Sequence, residues 1–240
     1  MTATGGYRAA HATLAAAQKP GHGVPFYMRV VNRRIGRVLA AGLAQTRTTP
    51  DHVTALSALS ALLGLALLVL APPTPVVAVG VVLLLQLAFA LDSADGQLAR
   101  LTGRGSGAGE WTDHVVDAGR TILFHLAIAV ALVRHELAPV AWALLPLGFA
   151  VVASVRFFAQ ILAEQLRPAG SAEPPRPGGP GGRAALLQLP ADTGVVNASL
   201  LLWPWTTTFL LGYGLLAAAT TVLLGATLVR RRRELLKAAT

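Results

Sequence analysis

The chain has 240 residues, of which 54% are hydrophobic and only 13% are charged. Soluble domains carry about 25% charged residues, so the composition excludes an ordinary soluble protein and favours a membrane protein. The chain has no cysteine and a net charge of +9. A thiol nucleophile and a zinc–thiolate site are therefore excluded, and the basic residues flank apolar runs, as in membrane proteins, rather than forming a nucleic-acid-binding patch.

The first predicted element in chain order is an amphipathic helix over residues 26–45. Its apolar residues recur at helical spacing and its arginines lie on another face, so we expect it to rest on the cytoplasmic leaflet. The residues before it contain no continuous apolar stretch of the kind found in a secretory signal. We therefore expect residues 1–52 to form a cytoplasmic N-terminal segment.

Apolar runs long enough to cross a bilayer follow this helix. A hydrocarbon core of about 30 Å requires roughly 20 apolar residues in a helix. Five runs are continuous, and a sixth, over 185–203, is interrupted by Pro190 and Asp192. The sequence thus predicts an all-α integral membrane protein with six transmembrane helices, a membrane domain over 53–229 and a basic tail over 230–240. The continuous runs cover 53–71, 75–91, 115–133, 138–162 and 205–229.

The distribution of arginine and lysine predicts the topology. Basic residues gather on the cytoplasmic side of short loops, and six spans with both termini in the cytoplasm satisfy that rule here. Five spans would place the basic cluster 230–233 outside. Trp142, Trp203 and Trp205 then fall near the outer interface, where indole rings settle. The content of alanine, arginine and glycine suggests a bacterial genome, and hence a bacterial plasma membrane.

Four of the six aspartates lie in one short stretch. Asp92 and Asp95 end one predicted span, and Asp113 and Asp117 begin the next, with spacings that bring each pair to one helix face. The glycine-rich turn between them allows the two helices to run antiparallel, so the four carboxylates can converge. Such a cluster requires a counter-charge, and an all-oxygen set suits Mg²⁺, Mn²⁺ or Ca²⁺. Four carboxylates suffice for a two-metal site.

Small and basic residues adjoin the acidic cluster. Gly96 and Ala99 leave a shallow groove, and Arg100 can reach a phosphate. Together with the aspartates and Gly109, they resemble the signature of the CDP-alcohol phosphotransferase family, D-x2-D-G-x2-A-R-x8-G-x3-D-x3-D. The stretch 49–54, TPDHVT, is similar to a T-P-N-x-[VI]-T stretch common in that family, with Asp51 in place of the usual asparagine.

The resemblance implies a phosphotransferase of phospholipid synthesis that releases CMP. It implies Mg²⁺ or Mn²⁺ as cofactor, a CDP-linked donor such as CDP-diacylglycerol, and an alcohol acceptor such as inositol phosphate or glycerol phosphate. Family members are often homodimers, so a homodimer among membrane lipids is expected here. The implied metal ligands are Asp92, Asp95, Asp113 and Asp117, with Asp117 also the general base, and the implied nucleotide site comprises Thr54, Gly96, Ala99 and Arg100.

Several residues allow two interpretations. Arg156 interrupts an apolar span, where it either holds an acceptor phosphate or extends to the lipid headgroups. Arg120 either orients the Asp117 carboxylate or anchors a helix end. Asp192 either pairs with an acceptor-site arginine or begins the fifth helix, and His125 has the character of a packed residue. Two further function classes remain open: a transporter or channel that uses the acidic cluster as an ion pathway, and a non-catalytic membrane scaffold.

Overall fold

The computed structural model describes residues 5–17, 25–166 and 186–238, and every regular element within these ranges is a helix. Five helical segments are long and apolar enough to cross a membrane, which confirms an all-α integral membrane fold. Their apolar outer faces carry many exposed leucine and valine side chains, as expected of helices that contact lipid. The five segments are α3 (Pro50–Leu70), α4 (Pro75–Thr102), α5 (Gly107–Arg134), α6 (Leu144–Gln165) with the 3₁₀ turn Val140–Ala143 before it, and α8 (Thr206–Ala238).

Threonine and serine caps set the beginnings of three of these helices. Thr49 and Thr74 each accept a hydrogen bond from the amide of the third residue onward, and a proline occupies the first turn that follows. Gly103 ends α4 in the left-handed conformation (φ 65°), and Ser106 caps α5. The turn between α4 and α5 is thus only four residues, 103–106, and Gly107 already belongs to α5.

The helix α3 packs against both α4 and α5, whereas α4 and α5 make few direct contacts with each other. The acidic ends of α4 and α5 therefore face each other across a gap rather than across a packed helix interface. This gap is what leaves room for a cavity inside the bundle.

The predicted fifth span is broken within the described residues. A 3₁₀ turn (Leu189–Ala191) precedes α7 (Thr193–Ala198), and a second 3₁₀ turn (Ser199–Leu202) follows it. At 1.5 Å per residue, the apolar stretch Thr193–Leu202 extends about 15 Å, or half of a bilayer core. The 3₁₀ turn before this stretch contacts the middle of α8, where the Thr220 hydroxyl donates to the Pro190 carbonyl at 3.0 Å. Since residue 185 lies outside the described part of the chain, the six-span count stays a prediction.

Two N-terminal helical segments pack on the end of α4 that carries the aspartates. A π-helical turn (Met28–Asn32) runs directly into α2 (Arg33–Leu43), and the Asn32 side chain donates to the Phe89 carbonyl at 2.9 Å. The helix α1 (Tyr7–Ala16), which the sequence pattern did not predict, buries Ala10 and Leu14 against these elements. The location of α2 on the leaflet stays a prediction.

The main hydrophobic core lies between α3, α4, α5, α6 and α8. Trp203 belongs to this core: its side chain is fully buried and meets Phe209 edge to face at 5.2 Å. Its predicted role as a ring at the lipid interface is wrong for that reason. Trp142 and Trp205, by contrast, are exposed.

Candidate active site

Three carboxylates meet where the last turns of α4 face the first turns of α5. Oxygen atoms of Asp92, Asp113 and Asp117 all lie within 4.8 Å of one another. The Asp113 Oδ1 atom is buried and has no hydrogen-bond partner among the described residues. Three acidic groups this close repel one another unless a cation lies between them, so the geometry suits a divalent metal with oxygen ligands.

Arg120 pairs with two of these carboxylates and supplies a positive charge from the protein itself. One guanidinium nitrogen donates to Asp92 Oδ1 at 3.0 Å and also pairs closely with Asp117, one turn earlier on α5. A second nitrogen lies 3.4 Å from the Ser57 hydroxyl on α3. Arg120 therefore orients the Asp117 carboxylate, which was one of its two interpretations from the sequence. It also links α3, α4 and α5 around the acidic cluster.

Asp95 lies beside the cluster but has partners of its own. Its carboxylate is almost fully buried, accepts a hydrogen bond from the Thr54 hydroxyl at 2.6 Å and accepts another from the Gly96 amide. The convergence predicted from the sequence is thus present for three aspartates, with the fourth turned toward α3. Thr54 and Asp95 bring the TPDHVT stretch and the acidic signature into direct contact.

Basic groups gather beyond Gly96. A Cβ atom on Gly96 would lie 3.5 Å from the Arg100 guanidinium, so this side chain lies over the glycine. On α2, burial lowers the pKa of Arg33, and the nearby charges of Arg100 and Arg29 lower it further. Arg33 thus lies close enough to Arg100 and Arg29 to be repelled by both, and such a group of arginines near Gly96 forms a favourable environment for an anionic group such as a diphosphate.

A cavity of about 240 Å³ extends from the acidic cluster into the bundle. Asp92, Asp117 and Arg120 line it, and so does Arg156 of α6. The predicted nucleotide residues Thr54, Gly96, Ala99 and Arg100 are not among its lining residues. The predicted nucleotide residues therefore lie outside this cavity.

Asp192 holds in place the broken segment, which forms part of the cavity wall. Its buried carboxylate accepts hydrogen bonds from the amides of Tyr27 at 2.8 Å, Met28 at 3.3 Å and Gly194 at 3.1 Å. Arg156 is close enough to interact electrostatically with the same carboxylate. Asp192 therefore both caps α7 and neighbours the arginine in the cavity, so its two predicted roles are compatible.

Tyr27 and Gly194 form a contact that the sequence gave no reason to expect. A Cβ atom at Gly194 would lie only 2.0 Å from Cδ1 of the Tyr27 ring. The ring thus occupies the space that any side chain at position 194 would fill. Because the two residues lie far apart in the chain, no local motif could have predicted their contact. The only signal in the sequence was Asp192, an acidic residue between two apolar segments.

Comparison with known families adds one match. The model of the CDP-alcohol phosphatidyltransferase family matches residues 47–229. The matched range contains the acidic cluster, Arg120, Arg156 and the broken segment, and it begins just before α3. No curated protein sequence matches the chain.

Proposed function

Because the chain belongs to the CDP-alcohol phosphatidyltransferase family, whose members are membrane transferases of substituted phosphate groups, we propose that it transfers a phosphatidyl group from CDP-diacylglycerol to an alcohol. The family uses a CDP-linked donor and an alcohol acceptor in phospholipid synthesis. The observation that supports the assignment for this chain is the group of three carboxylates, Asp92, Asp113 and Asp117, beside a cavity within the bundle. The transporter and scaffold alternatives have no comparable support.

The acidic residues fit the divalent metals on which the family generally depends. In this proposal Asp92, Asp95, Asp113 and Asp117 hold two ions, Mg²⁺ or Mn²⁺, and the unpartnered Asp113 Oδ1 is one of the ligand atoms. When bound, the ions neutralise the diphosphate and the charge of the departing CMP. Arg120 keeps the carboxylates of Asp92 and Asp117 oriented between turnovers.

Asp117 is the proposed general base. The acceptor hydroxyl oxygen forms a bond to the phosphorus that carries the diacylglycerol, and its proton passes to the Asp117 carboxylate. The bond from that phosphorus to the oxygen bridging to CMP breaks, and CMP leaves with the bonding electrons. No covalent enzyme intermediate is needed. Asp117 suits this role because it lines the cavity from which an acceptor would approach.

The nucleotide of the donor would occupy the groove formed by Gly96, Ala99 and Arg100. Arg100 offers charged hydrogen bonds to the diphosphate, and the absence of side-chain bulk at Gly96 allows close approach to the backbone. Thr54 contributes through Asp95, whose carboxylate it orients. This location leaves the cavity on the other side of the carboxylates free for the acceptor.

Arg156 is the proposed binding group for an acceptor phosphate. It lines the same cavity as Asp92 and Asp117, and the carboxylate near it, Asp192, already accepts hydrogen bonds from three backbone amides, so an anionic acceptor would complete the counter-charge that a buried arginine requires. Inositol phosphate and glycerol phosphate are the acceptors that we propose on this ground. A CDP-linked polar alcohol is the alternative donor.

The proposed setting is a bacterial plasma membrane, with both termini and the active site in the cytoplasm. The multi-pass character follows from the five apolar helices, and the orientation rests on the arginine-rich ends of α2, α4 and α8. We further propose three regions, a cytoplasmic segment 1–52, a membrane domain 53–229 and a basic tail 230–240, in a homodimer among membrane lipids.

The experiment is to measure CMP release from CDP-diacylglycerol by the purified protein in detergent with Mg²⁺ or Mn²⁺. The acceptor panel is inositol phosphate, glycerol phosphate, inositol and serine. Asp117→Asn should reduce release by at least about 100-fold, the usual contribution of a general base. Glu110→Gln is the matched control, because this exposed carboxylate one turn from Asp113 lies outside the cluster. Metal-independent release, or equal loss in both variants, would contradict the proposal.

A further inference from the structure

The cavity continues well beyond the carboxylates, toward the middle of the bundle. Asp117 and His125 both line it, and they are eight residues apart on α5, or about 12 Å along the helix. At its remote end Phe124 and Phe149 flank the imidazole ring of His125, whose centroid lies 4.4 Å from that of Phe149. The cavity is therefore deeper than binding a single hydroxyl group at Asp117 requires.

Uncharged polar side chains are distributed along this depth. Buried polar groups within a membrane bundle are unfavourable unless they form hydrogen bonds. Several of those in the cavity already donate to backbone carbonyls but retain acceptor or donor capacity toward the interior. These polar groups alternate with apolar lining residues such as Phe89 and Phe149, so the cavity fits a ring that carries hydroxyl groups, with its faces against the apolar side chains. The uncharged polar lining residues are Thr121, His125, Gln160, Thr193, Asn197 and Thr220.

His125 is held in one orientation by Tyr213. The Nδ1 atom of His125 forms a short hydrogen bond with the Tyr213 hydroxyl, and Tyr213 is fully buried in the core and does not line the cavity. If the phenol donates to Nδ1, the remaining imidazole hydrogen lies on Nε2. Nε2 has no hydrogen-bond partner among the described residues, and the ring to which it belongs lines the cavity. Nε2 is therefore the ring nitrogen left to bind a group inside the cavity.

We propose that His125 Nε2 binds a hydroxyl group of the acceptor at the end of the cavity remote from the carboxylates, with Tyr213 as its positioning residue. This inference rests on the proposed function, since it assumes that the acceptor occupies the cavity. Binding at both Asp117 and His125 favours an acceptor that carries hydroxyl groups on opposite sides of a ring, such as a ring polyol or its phosphate. Glycerol phosphate, with its attacking oxygen at Asp117 and its phosphate at Arg156, has no hydroxyl group left at a remote end to reach His125.

The experiment compares full-length wild type with His125→Phe and Tyr213→Phe, both of which preserve the aromatic packing. Acceptor binding is measured by calorimetry with CDP present, for inositol phosphate, inositol and glycerol phosphate. Turnover is measured separately as KM and kcat for each substrate. In His125→Phe, the loss of one hydrogen bond should weaken ring-polyol binding by about tenfold. The KM for the same acceptor should rise by a similar factor. Tyr213→Phe should raise the acceptor KM less, and neither variant should change the KM for the CDP donor or the affinity for glycerol phosphate.

Phe209→Leu is the matched control for a general disturbance of the core. Phe209 stacks on Tyr213 at 5.2 Å but does not line the cavity, so its substitution should leave the acceptor KM unchanged. His125→Gln, which keeps a donor, serves if His125→Phe does not fold, and it should recover part of the affinity. An acceptor affinity within twofold of wild type in a folded His125 variant, or no ring-polyol binding by wild type, would overturn the inference. Binding without CMP release would instead sustain it and contradict the proposed function.

Discussion

Arg120 and Asp92 join α5 to α4 through a hydrogen-bonded ion pair of 3.0 Å. The same guanidinium contacts Asp117, so one cation serves two of the three clustered carboxylates. This pair is a direct side-chain link between two helices that make few contacts with each other. It also means that Arg120 and any cation in the cluster would share the carboxylates of Asp92 and Asp117.

Arg120→Gln should therefore destabilise the metal-free protein and increase its response to metal. Removing one partner of a buried ion pair costs about 3–5 kcal/mol, because the other charge remains without compensation. We expect a lower Tm in detergent without metal and a larger rise of Tm on addition of Mg²⁺ or Mn²⁺ than in wild type. CMP release should fall by about 10- to 100-fold, as is usual for groups that orient metal ligands.

Arg120→Lys is the control for charge alone. A lysine ammonium lacks the planar fork that contacts two carboxylates, so its Tm should lie between the values for wild type and Arg120→Gln. Equal metal-induced shifts of Tm in all three proteins would show that Arg120 and the metals do not share ligands.

Thr54→Val should weaken the function of Asp95 while preserving the shape of α3. The Thr54 hydroxyl donates to the Asp95 carboxylate at 2.6 Å in a buried environment. A hydrogen bond to a charged group is worth about 1.5–3 kcal/mol. If Asp95 is a metal ligand, the metal concentration for half-maximal CMP release should rise by about tenfold or more. Thr54→Ser retains the donor and should stay near wild type, and a normal metal requirement in Thr54→Val would exclude Asp95 as a ligand.

Local patterns predicted the features that depend on residues close in sequence. The apolar runs indicated where α3 and α4 lie, although α3 begins at Pro50, three residues before its run, and the aspartate spacings indicated the acidic cluster. The α-helical bounds exceed the apolar runs, because amphipathic turns such as Gly107–Val115 continue α5 beyond the hydrophobic stretch.

Contacts between distant segments could not be predicted in this way. The choice between the two roles of Arg120 depended on how α4 faces α5. His125 was expected to be a packed residue, and it is packed on one side, but its ring also lines a cavity. The burial of Trp203 likewise depends on how the broken segment lies against α8. In each case the decisive partner comes from another helix.

The six-span topology can be tested by single cysteines, since the chain contains none. Arg104→Cys and Glu136→Cys mark the two loops that bracket α5, and should react with a membrane-impermeant maleimide from opposite sides of the membrane. Leu187→Cys and Trp205→Cys mark the two ends of the broken segment. If that segment crosses, Leu187→Cys should react from the same side as Arg104→Cys, and Trp205→Cys from the side of Glu136→Cys. Labelling of both ends from one side would establish five crossings.

The contact of Gly194 with Tyr27 predicts a strong effect of one methyl group. In Gly194→Ala the new Cβ would lie 2.0 Å from Tyr27 Cδ1, so the ring or the broken segment must shift. Such overpacking typically costs about 1–3 kcal/mol, and we expect a corresponding drop of Tm together with weaker acceptor binding, because Met28 and Asp192 line the cavity beside this contact.

Gly148→Ala is the matched control, because nothing lies near the position of its added Cβ on α6 and alanine favours a helix. The drop should also depend on the tyrosine ring. In a double-mutant cycle, Tyr27→Leu should cost less in the Gly194→Ala background than in wild type, because it removes the atoms with which the methyl group collides. Additive effects of the two substitutions would mean that the Tyr27 ring does not occupy this space, and that the amide hydrogen bonds to Asp192 alone hold the N-terminal segment against the cavity wall.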